Sequence, residues 1–126
     1  MPAELPSSTL RRMIPGADSN WEAQLRRGVV EYCVLAALRS RERYGFELAR
    51  SLGAPGGLLM GEGTVYPLLA RLRQRRWVET TWRESEDGPP RRYYRLTEQG
   101  TQALEAFERG WTQFRSAVDR ALEEGG

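Results

Sequence analysis

Apolar residues recur along much of the chain at spacings of three and four, the period of a helix packed on one side. The sequence Ser-Asn-Trp-Glu from Ser19 has the pattern of a capping box, so a first helix is predicted to start there and to end near Ser40. A second, short helix is predicted from Tyr44 to about Leu52, where the Gly- and Pro-rich stretch 53–57 stops it. The repeating apolar face of the first helix is formed by Leu25, Val29, Tyr32, Cys33 and Ala36.

A third amphipathic helix is predicted from about Gly63 to Arg75. Pro67 falls near its first turn, where the loss of a backbone donor has little effect. Four apolar residues at i, i+3, i+4 and i+7 are predicted to face the core: Val65, Leu68, Leu69 and Leu72.

The last third of the chain predicts a hairpin followed by a long helix. Segments 77–82 and 91–96 are rich in aromatic and β-branched residues, and the turn-like stretch 84–90 separates them. Thr97 is predicted to cap the final helix. The apolar positions of that helix step by three and four: Leu104, Phe107, Trp111, Phe114, Val118 and Leu122.

Three helices followed by a hairpin is the order of a winged helix-turn-helix, so the predicted fold is mainly α with a small β-hairpin wing. Residues 19–96 are predicted to form the DNA-binding domain, 97–126 a dimerisation helix and 1–18 a flexible N-terminal arm. The long apolar stripe needs a cover, and a symmetric second copy is the simplest one. A two-fold dimer places its two recognition helices about 34 Å apart, which matches a palindromic operator on double-stranded DNA.

Charge is distributed unevenly along the chain. All 19 basic residues are arginine, and the formal net charge is only +2. Residues 63–96 hold eight arginines against four acidic residues, whereas residues 97–126 hold three arginines against six. The predicted third helix and wing therefore attract a polyanion, and the final helix does not.

Two sets of residues are the first candidates for DNA contact. Thr64 and Tyr66 lie at the N-terminal end of the third helix, the end that usually reaches base edges, and Arg71 lies further along, closer to phosphates. Arg91 and Arg92 follow two prolines in the wing and point to opposite faces of their strand, so that one can face the duplex. The alternative roles are a helix cap for the threonine, a core edge for the tyrosine and plain solvation for the wing arginines.

The composition excludes several classes of protein. The chain has no histidine and one cysteine, so the common zinc sites and histidine-dependent catalysis are not available, and neither a cofactor nor a metal is predicted. No nucleophile and base pair or phosphate loop is recognisable, which argues against an enzyme. With no membrane segment and no secretory signal in the sequence, a cytoplasmic location is expected. A winged-helix protein-interaction module without DNA binding stays the main alternative.

Four motifs carry a resemblance to a known family. They are Leu-Arg-Arg-Gly at 25–28 with Glu31, Tyr-Gly-Phe-Glu-Leu at 44–48, Glu-Gly-Thr-Val-Tyr-Pro-Leu-Leu at 62–69, and Gly-Pro-Pro-Arg-Arg-Tyr-Tyr at 88–94 followed by Leu96, Thr97 and Gly100. From about Gln24 to Val118 the chain resembles the PadR family of bacterial transcriptional regulators. One departure is Gln74-Arg75-Arg76-Trp77, where relatives often have a glycine turn.

The resemblance implies a winged-helix dimer with cross-packed C-terminal helices, of the short subgroup that has a single such helix. It also implies a repressor that a small aromatic or drug-like molecule releases from its operator. Family members contact DNA through positions matching Tyr44, Thr64, Tyr66, Arg91 and Arg92, and their first helix approaches phosphates at positions matching Arg26 and Arg27.

In multidrug-sensing relatives a tryptophan on the last helix stacks flat aromatic drugs across the two-fold axis. Counted from Leu96-Thr97 and Gly100, Trp111 occupies that position, and Phe107 and Phe114 flank it. These three residues are the candidate ligand contacts. The alternative is that Trp111 only packs in the core of the dimer.

Overall fold

The computed structural model describes residues 17–53, 58 and 62–125. Four α-helices and one small antiparallel sheet make up this part of the chain, which confirms the predicted winged-helix architecture with a long C-terminal helix. In chain order the elements are α1 (Ala17–Ala37), β1 (Arg43–Tyr44), α2 (Gly45–Leu52), a 3-10 turn (Glu62–Thr64), α3 (Val65–Gln74), β2 (Val78–Ser85), β3 (Gly88–Leu96) and α4 (Glu98–Gly125).

The sheet has three strands in the order β1-β3-β2, one strand more than the sequence predicted. The added strand β1 is only two residues long and pairs Arg43 with Tyr94 and Tyr44 with Tyr93. The hairpin strands are also longer than predicted, because the stretch 84–90 is mostly strand and only 86–87 separate β2 from β3. The prolines of β3 are tolerated because they lie where the pairing with β2 shifts register, between Arg83 and Ser85.

The core is formed where α1, α2 and α3 pack against the base of the sheet and the first turns of α4. All four predicted core residues of α3 are buried, as the helical spacing required. The remaining buried apolar residues are Val30, Val34, Leu35 and Leu38 of α1, Leu48 and Ala49 of α2, Val78 and Tyr94 of the sheet, and Leu104 of α4.

Helix α1 differs from its prediction at its start and in its buried face. It begins at Ala17, so Ser19 lies inside the helix and is not its cap, and residues 17–18 do not belong to a flexible arm. Ala17 is a strong helix former, and nothing after it stops the helix from starting a turn early. Residues 1–16 of the predicted arm lie outside the described residues.

The predicted apolar face of α1 is not the one that packs in the core. Leu25 is 57% exposed, and Val29, Tyr32 and Cys33 are only half-buried. The second half of α1 carries two overlapping apolar stripes, both with helical spacing, and the stripe through Val34 took the core. The predicted stripe instead turns toward α4.

The end of α3 forms a Schellman motif around a non-glycine residue. The amide of Trp77 donates to the carbonyl of Leu72 over 3.0 Å, and the amide of Arg76 donates to the carbonyl of Arg73 over 3.0 Å. Arg76 has φ 63°, the left-handed conformation that glycine adopts more easily. The sequence departs from the family's glycine turn at this point, and the backbone keeps the glycine conformation.

Helix α4 is anchored to the base of the hairpin at its start. The hydroxyl of Thr97 accepts from the amide of Gly100 over 3.0 Å, which confirms the predicted cap, and donates to the carbonyl of Arg76 over 2.6 Å. A Cβ on Gly100 would lie 2.0 Å from the carbonyl oxygen of Trp77, so only glycine allows this close approach. Within the part of the chain that the structure describes, every helix is too short or too polar to span a bilayer.

Candidate nucleic-acid interface

The eight predicted DNA contacts fall into two groups, which line two adjacent depressions. One depression, the wing groove, has a volume of about 470 Å³ and lies between the hairpin and the starts of α2 and α3. The other, the helix cleft, has a volume of about 240 Å³ and lies between α1 and the start of α3. The wing groove holds Tyr44, Tyr66, Arg91 and Arg92, and the helix cleft holds Arg26, Arg27, Thr64 and Arg71.

In the wing groove, both wing arginines lie over aromatic rings. The guanidinium carbon of Arg91 lies 4.4 Å from the ring centre of Tyr44, and that of Arg92 lies 4.9 Å from the ring centre of Trp82. The two arginines point to opposite faces of β3, as the strand alternation predicted. Cation–π contact limits the freedom of each guanidinium while leaving its N–H groups able to donate in the ring plane. Among the described residues, the Nε of Arg92 is a buried donor with no partner.

Tyr66 projects into the wing groove from the first turn of α3. Its side chain is 51% exposed, so it is not a core residue, although one edge of the ring packs against the start of α2. A Cβ on Gly45 would lie 2.7 Å from Cε1 of Tyr66, so the glycine provides the space for this ring. Thr64, just before α3, is also exposed. Both residues are placed at the end of α3 that the sequence predicted to read bases.

In the helix cleft the basic residues are partly paired with acids from α1. Arg26 donates to Glu22 over 3.2 Å, one turn earlier on the same helix. Arg71 of α3 donates from Nε to Glu31 over 3.1 Å. Arg75, one turn later, donates to the other oxygen of Glu31 over 2.5 Å. The carboxylate of Glu31 therefore ties α3 to α1.

Sequence reasoning missed several residues of this surface. Trp82 is 61% exposed and lies directly across the strand pair from Arg92. The two-residue alternation through Val78 and Thr80 places Trp82 on the core face of β2, past the end of the core, and this signal was present in the sequence. Arg83 lies 4.6 Å from the ring centre of Tyr93 and forms an ion pair with Glu42, a contact that only the fold reveals.

The start of α2 is fixed by Glu47. Its carboxylate accepts from the amide of Tyr44 over 3.2 Å and from the guanidinium of Arg41 over 3.0 Å. Burial raises the pKa of Glu47, but these two hydrogen bonds outweigh burial, and the pKa lies below its usual range. The bond to the Tyr44 amide holds this residue, which also forms a wall of the wing groove.

The candidate ligand residues form part of an aromatic series between α1 and α4. The ring of Phe107 stacks on Tyr32 with centres 4.3 Å apart and planes 3° apart, and it contacts Trp111 with centres 5.6 Å apart. Phe114 lies further along α4 and is 62% exposed. The structure thus brings Phe107 and Trp111 together and leaves Phe114 as the outer end of the stripe.

The single cysteine and the acidic residues do not form a reactive or metal site. Cys33 is half-buried, and burial raises the pKa of its thiol, so the thiolate is disfavoured at neutral pH. Within the described ranges, no group of three or more histidine, cysteine or carboxylate side chains is arranged to hold a metal ion.

Comparison with known proteins identifies the family. The model of the transcriptional regulator PadR-like family matches residues 34–106, more than half of the chain. The chain belongs to the PadR-like family. This is a family of transcriptional regulators and not of enzymes, which confirms both the resemblance and the expectation of no catalytic activity.

Solved structures of PadR-like proteins share the fold. The chain is similar to a PadR family transcriptional regulator from Eggerthella lenta, with 33% identity, a TM-score of 0.71 and coverage of 83% of this chain and 91% of the other. For a PadR-like regulator from Bacillus cereus the identity is 36%, the TM-score 0.69 and the coverage 79% and 96%. Bacillus subtilis PadR, solved in complex with operator DNA, shares the fold at 22% identity and a TM-score of 0.56, with coverage of 63% and 46%.

Proposed function

We propose that this PadR-like protein is a dimeric repressor that binds a palindromic operator and leaves it when a small aromatic ligand binds. The observation that carries the proposal is the placement of the eight candidate residues in two adjacent depressions on α1, α3 and the wing. A winged helix places its third helix in the major groove and its hairpin along the backbone, and both parts are arginine-rich here. The operator complex of Bacillus subtilis PadR supports this use of the fold.

Phosphate binding by the wing is tested with the variant Arg91→Ala/Arg92→Ala. The apparent association constant for a duplex from upstream of the protein's own gene is measured by fluorescence anisotropy between about 50 and 200 mM salt, the range over which counterion release has a large effect. Loss of two phosphate contacts should weaken binding to all duplexes and reduce the salt slope by about two.

The matched control is Arg115→Ala/Arg120→Ala, which removes the same charge from the exposed face of α4. It should leave both the affinity and the salt slope nearly unchanged. If the wing variant keeps the full salt slope, the wing does not contact DNA. If the wild-type protein shows no salt-dependent binding at all, the protein-interaction module becomes the better interpretation.

Dimerisation is supported by the apolar stripe that α4 leaves uncovered. Trp111, Phe114, Val118 and Leu122 are 37%, 62%, 41% and 70% exposed and lie at successive helical spacings. A monomeric protein rarely exposes a continuous stripe of this kind. Sedimentation equilibrium should give a dimer for the wild-type chain and a monomer for Phe114→Glu, because the substitution buries a charge in the pairing surface. A monomeric wild-type chain would contradict the proposal.

The ligand site is proposed at Trp111 and its aromatic neighbours, because flat aromatic molecules stack favourably on exposed rings. A panel of planar aromatic drugs and phenolic acids is titrated against the tryptophan fluorescence and against the operator complex. At least one compound should quench the fluorescence of the wild-type protein and release the DNA, and Trp111→Ala should lose both effects while staying dimeric. Dissociation of the Trp111→Ala dimer would instead show that this tryptophan serves only in packing.

A further inference from the structure

Glu31 is a buried acid beneath the proposed DNA-binding surface. Only 7% of its surface is exposed, and it is the one charged residue among the buried residues that the structure describes. Its two carboxylate oxygens accept from two different arginines of α3, Arg71 at 3.1 Å and Arg75 at 2.5 Å. A carboxylate this close to a DNA-binding face opposes the phosphates electrostatically, so its presence there needs a reason.

The geometry of Arg71 suggests that reason. Glu31 takes the Nε of Arg71, and about half of the arginine side chain stays exposed on the wall of the helix cleft. A guanidinium has five N–H donors in one plane, so pairing at Nε leaves the terminal nitrogens able to bind a phosphate. The carboxylate can therefore orient the group without occupying its binding edge.

Arg75 is held in the same way and at a second point. Its guanidinium carbon lies 5.1 Å from the ring centre of Trp77, and its side chain is 47% exposed. The two arginines together carry one more positive charge than Glu31 neutralises. The cluster thus keeps a net attraction for phosphate while both of its cations are restrained.

We infer that Glu31 is a positioning residue for DNA binding: it holds Arg71 and Arg75 ready for phosphates and fixes α3 against α1. The inference rests on the proposed function. An arginine that is already ordered loses less conformational entropy when it binds, so positioning increases affinity although the positioning group is an anion.

The variant Glu31→Gln separates positioning from electrostatics, because the two predict opposite signs. Removing a negative charge near the duplex should tighten binding if only electrostatics matters. Loss of the charged anchor should weaken binding about ten-fold, the size of one charge-assisted hydrogen bond, and should reduce the salt slope by about one. Both quantities are measured by anisotropy on a random-sequence duplex, since phosphate contacts do not depend on sequence.

The matched control is Glu79→Gln, which removes an exposed carboxylate that pairs with Arg95 at 2.7 Å, outside both depressions. It should bind DNA as the wild-type protein does. In the background Arg71→Gln/Arg75→Gln, the further change Glu31→Gln should cause no additional loss, because the groups that it orients are gone. An additional ten-fold loss in that background would show that Glu31 acts only through folding, and this would overturn the inference.

A second variant keeps the test valid if Glu31→Gln does not fold. Arg71→Lys changes an exposed side chain and keeps its charge, but it removes the Nε through which Glu31 holds it. It should bind several-fold more weakly than the wild-type protein, and equal binding would overturn the inference. Equal or tighter binding by folded Glu31→Gln would overturn it as well and leave the proposed function standing. An absence of salt-dependent binding by the wild-type protein would instead reject the proposed function.

Discussion

The substitution Arg76→Gly should stabilise the protein. Arg76 occupies the left-handed position at the end of α3, with φ 63°, and the Schellman hydrogen bonds around it use only backbone atoms. The carbonyl of Arg76 also accepts from the hydroxyl of Thr97 over 2.6 Å, and glycine keeps that carbonyl. The change therefore removes a strained side chain without removing a described backbone contact.

The size of the effect follows from two opposing contributions. A left-handed conformation costs an L-residue about 1–2 kcal/mol. Glycine loses about 0.5–1 kcal/mol more than alanine when it is ordered on folding. The net gain is about 0.5–1 kcal/mol in the free energy of unfolding, or a rise in Tm of about 2–4 °C for a cooperative unit of this size.

Thermal unfolding followed by circular dichroism measures the change, with two control variants. Arg76→Ala keeps the Cβ and the left-handed strain, so its Tm should stay close to that of the wild-type protein. Arg75→Gly places glycine where φ is −78° and should lower the free energy of unfolding by about 0.5–1 kcal/mol. If Arg76→Ala and Arg76→Gly raise the Tm equally, relief of repulsion among the neighbouring arginines is the cause, and the backbone explanation is refuted.

Three further substitutions test the fold and the site. Gly100→Ala places a Cβ 2.0 Å from the carbonyl oxygen of Trp77, so it should lower the free energy of unfolding by about 3 kcal/mol or more in a urea titration, and a loss below about 1 kcal/mol would contradict the close packing of α4. Glu47→Gln should remove the stabilisation that the wild-type protein has above about pH 4.3 and loses as the pH falls through the lowered pKa, so the two proteins should differ at pH 7 and converge in strong acid. Gly45→Ala should displace the ring of Tyr66 and reduce discrimination between operator and random DNA several-fold, whereas unchanged discrimination would remove that ring from base reading.

The elements that sequence reasoning predicted well are those with a single strong pattern. Helix α3 has one apolar stripe, and all four of its predicted residues are buried. Helix α1 has two overlapping stripes, and periodicity cannot decide which of them meets the core. Strand β1 has only two residues, too few for any alternation to be visible, and it exists because Tyr93 and Tyr94 offer it a partner.

The candidate site was predicted by motif, and its internal contacts were not. The eight residues line two adjacent depressions, although their roles stay predictions. The pairing of Glu31 with Arg71 and Arg75 joins residues that are 40 and 44 positions apart, so no local pattern signals it. Trp82 was within reach, because strand alternation places it beside Arg92, but its exposure depends on where the core ends.

Helix α4 has 28 residues and is about 42 Å long at 1.5 Å per residue, yet only its first turns rest on its own domain. Residues 108–125 are all exposed in the single chain. Helical segments that lack tertiary packing are marginal in water, so in a dimer the ordering of this segment and the pairing of subunits become one equilibrium, set by concentration. A newly synthesised chain without a partner then carries a frayed tail that cellular proteases can cleave, and a paired chain does not. Quality control would in this way remove single subunits selectively and keep the pool of regulator in its assembled form.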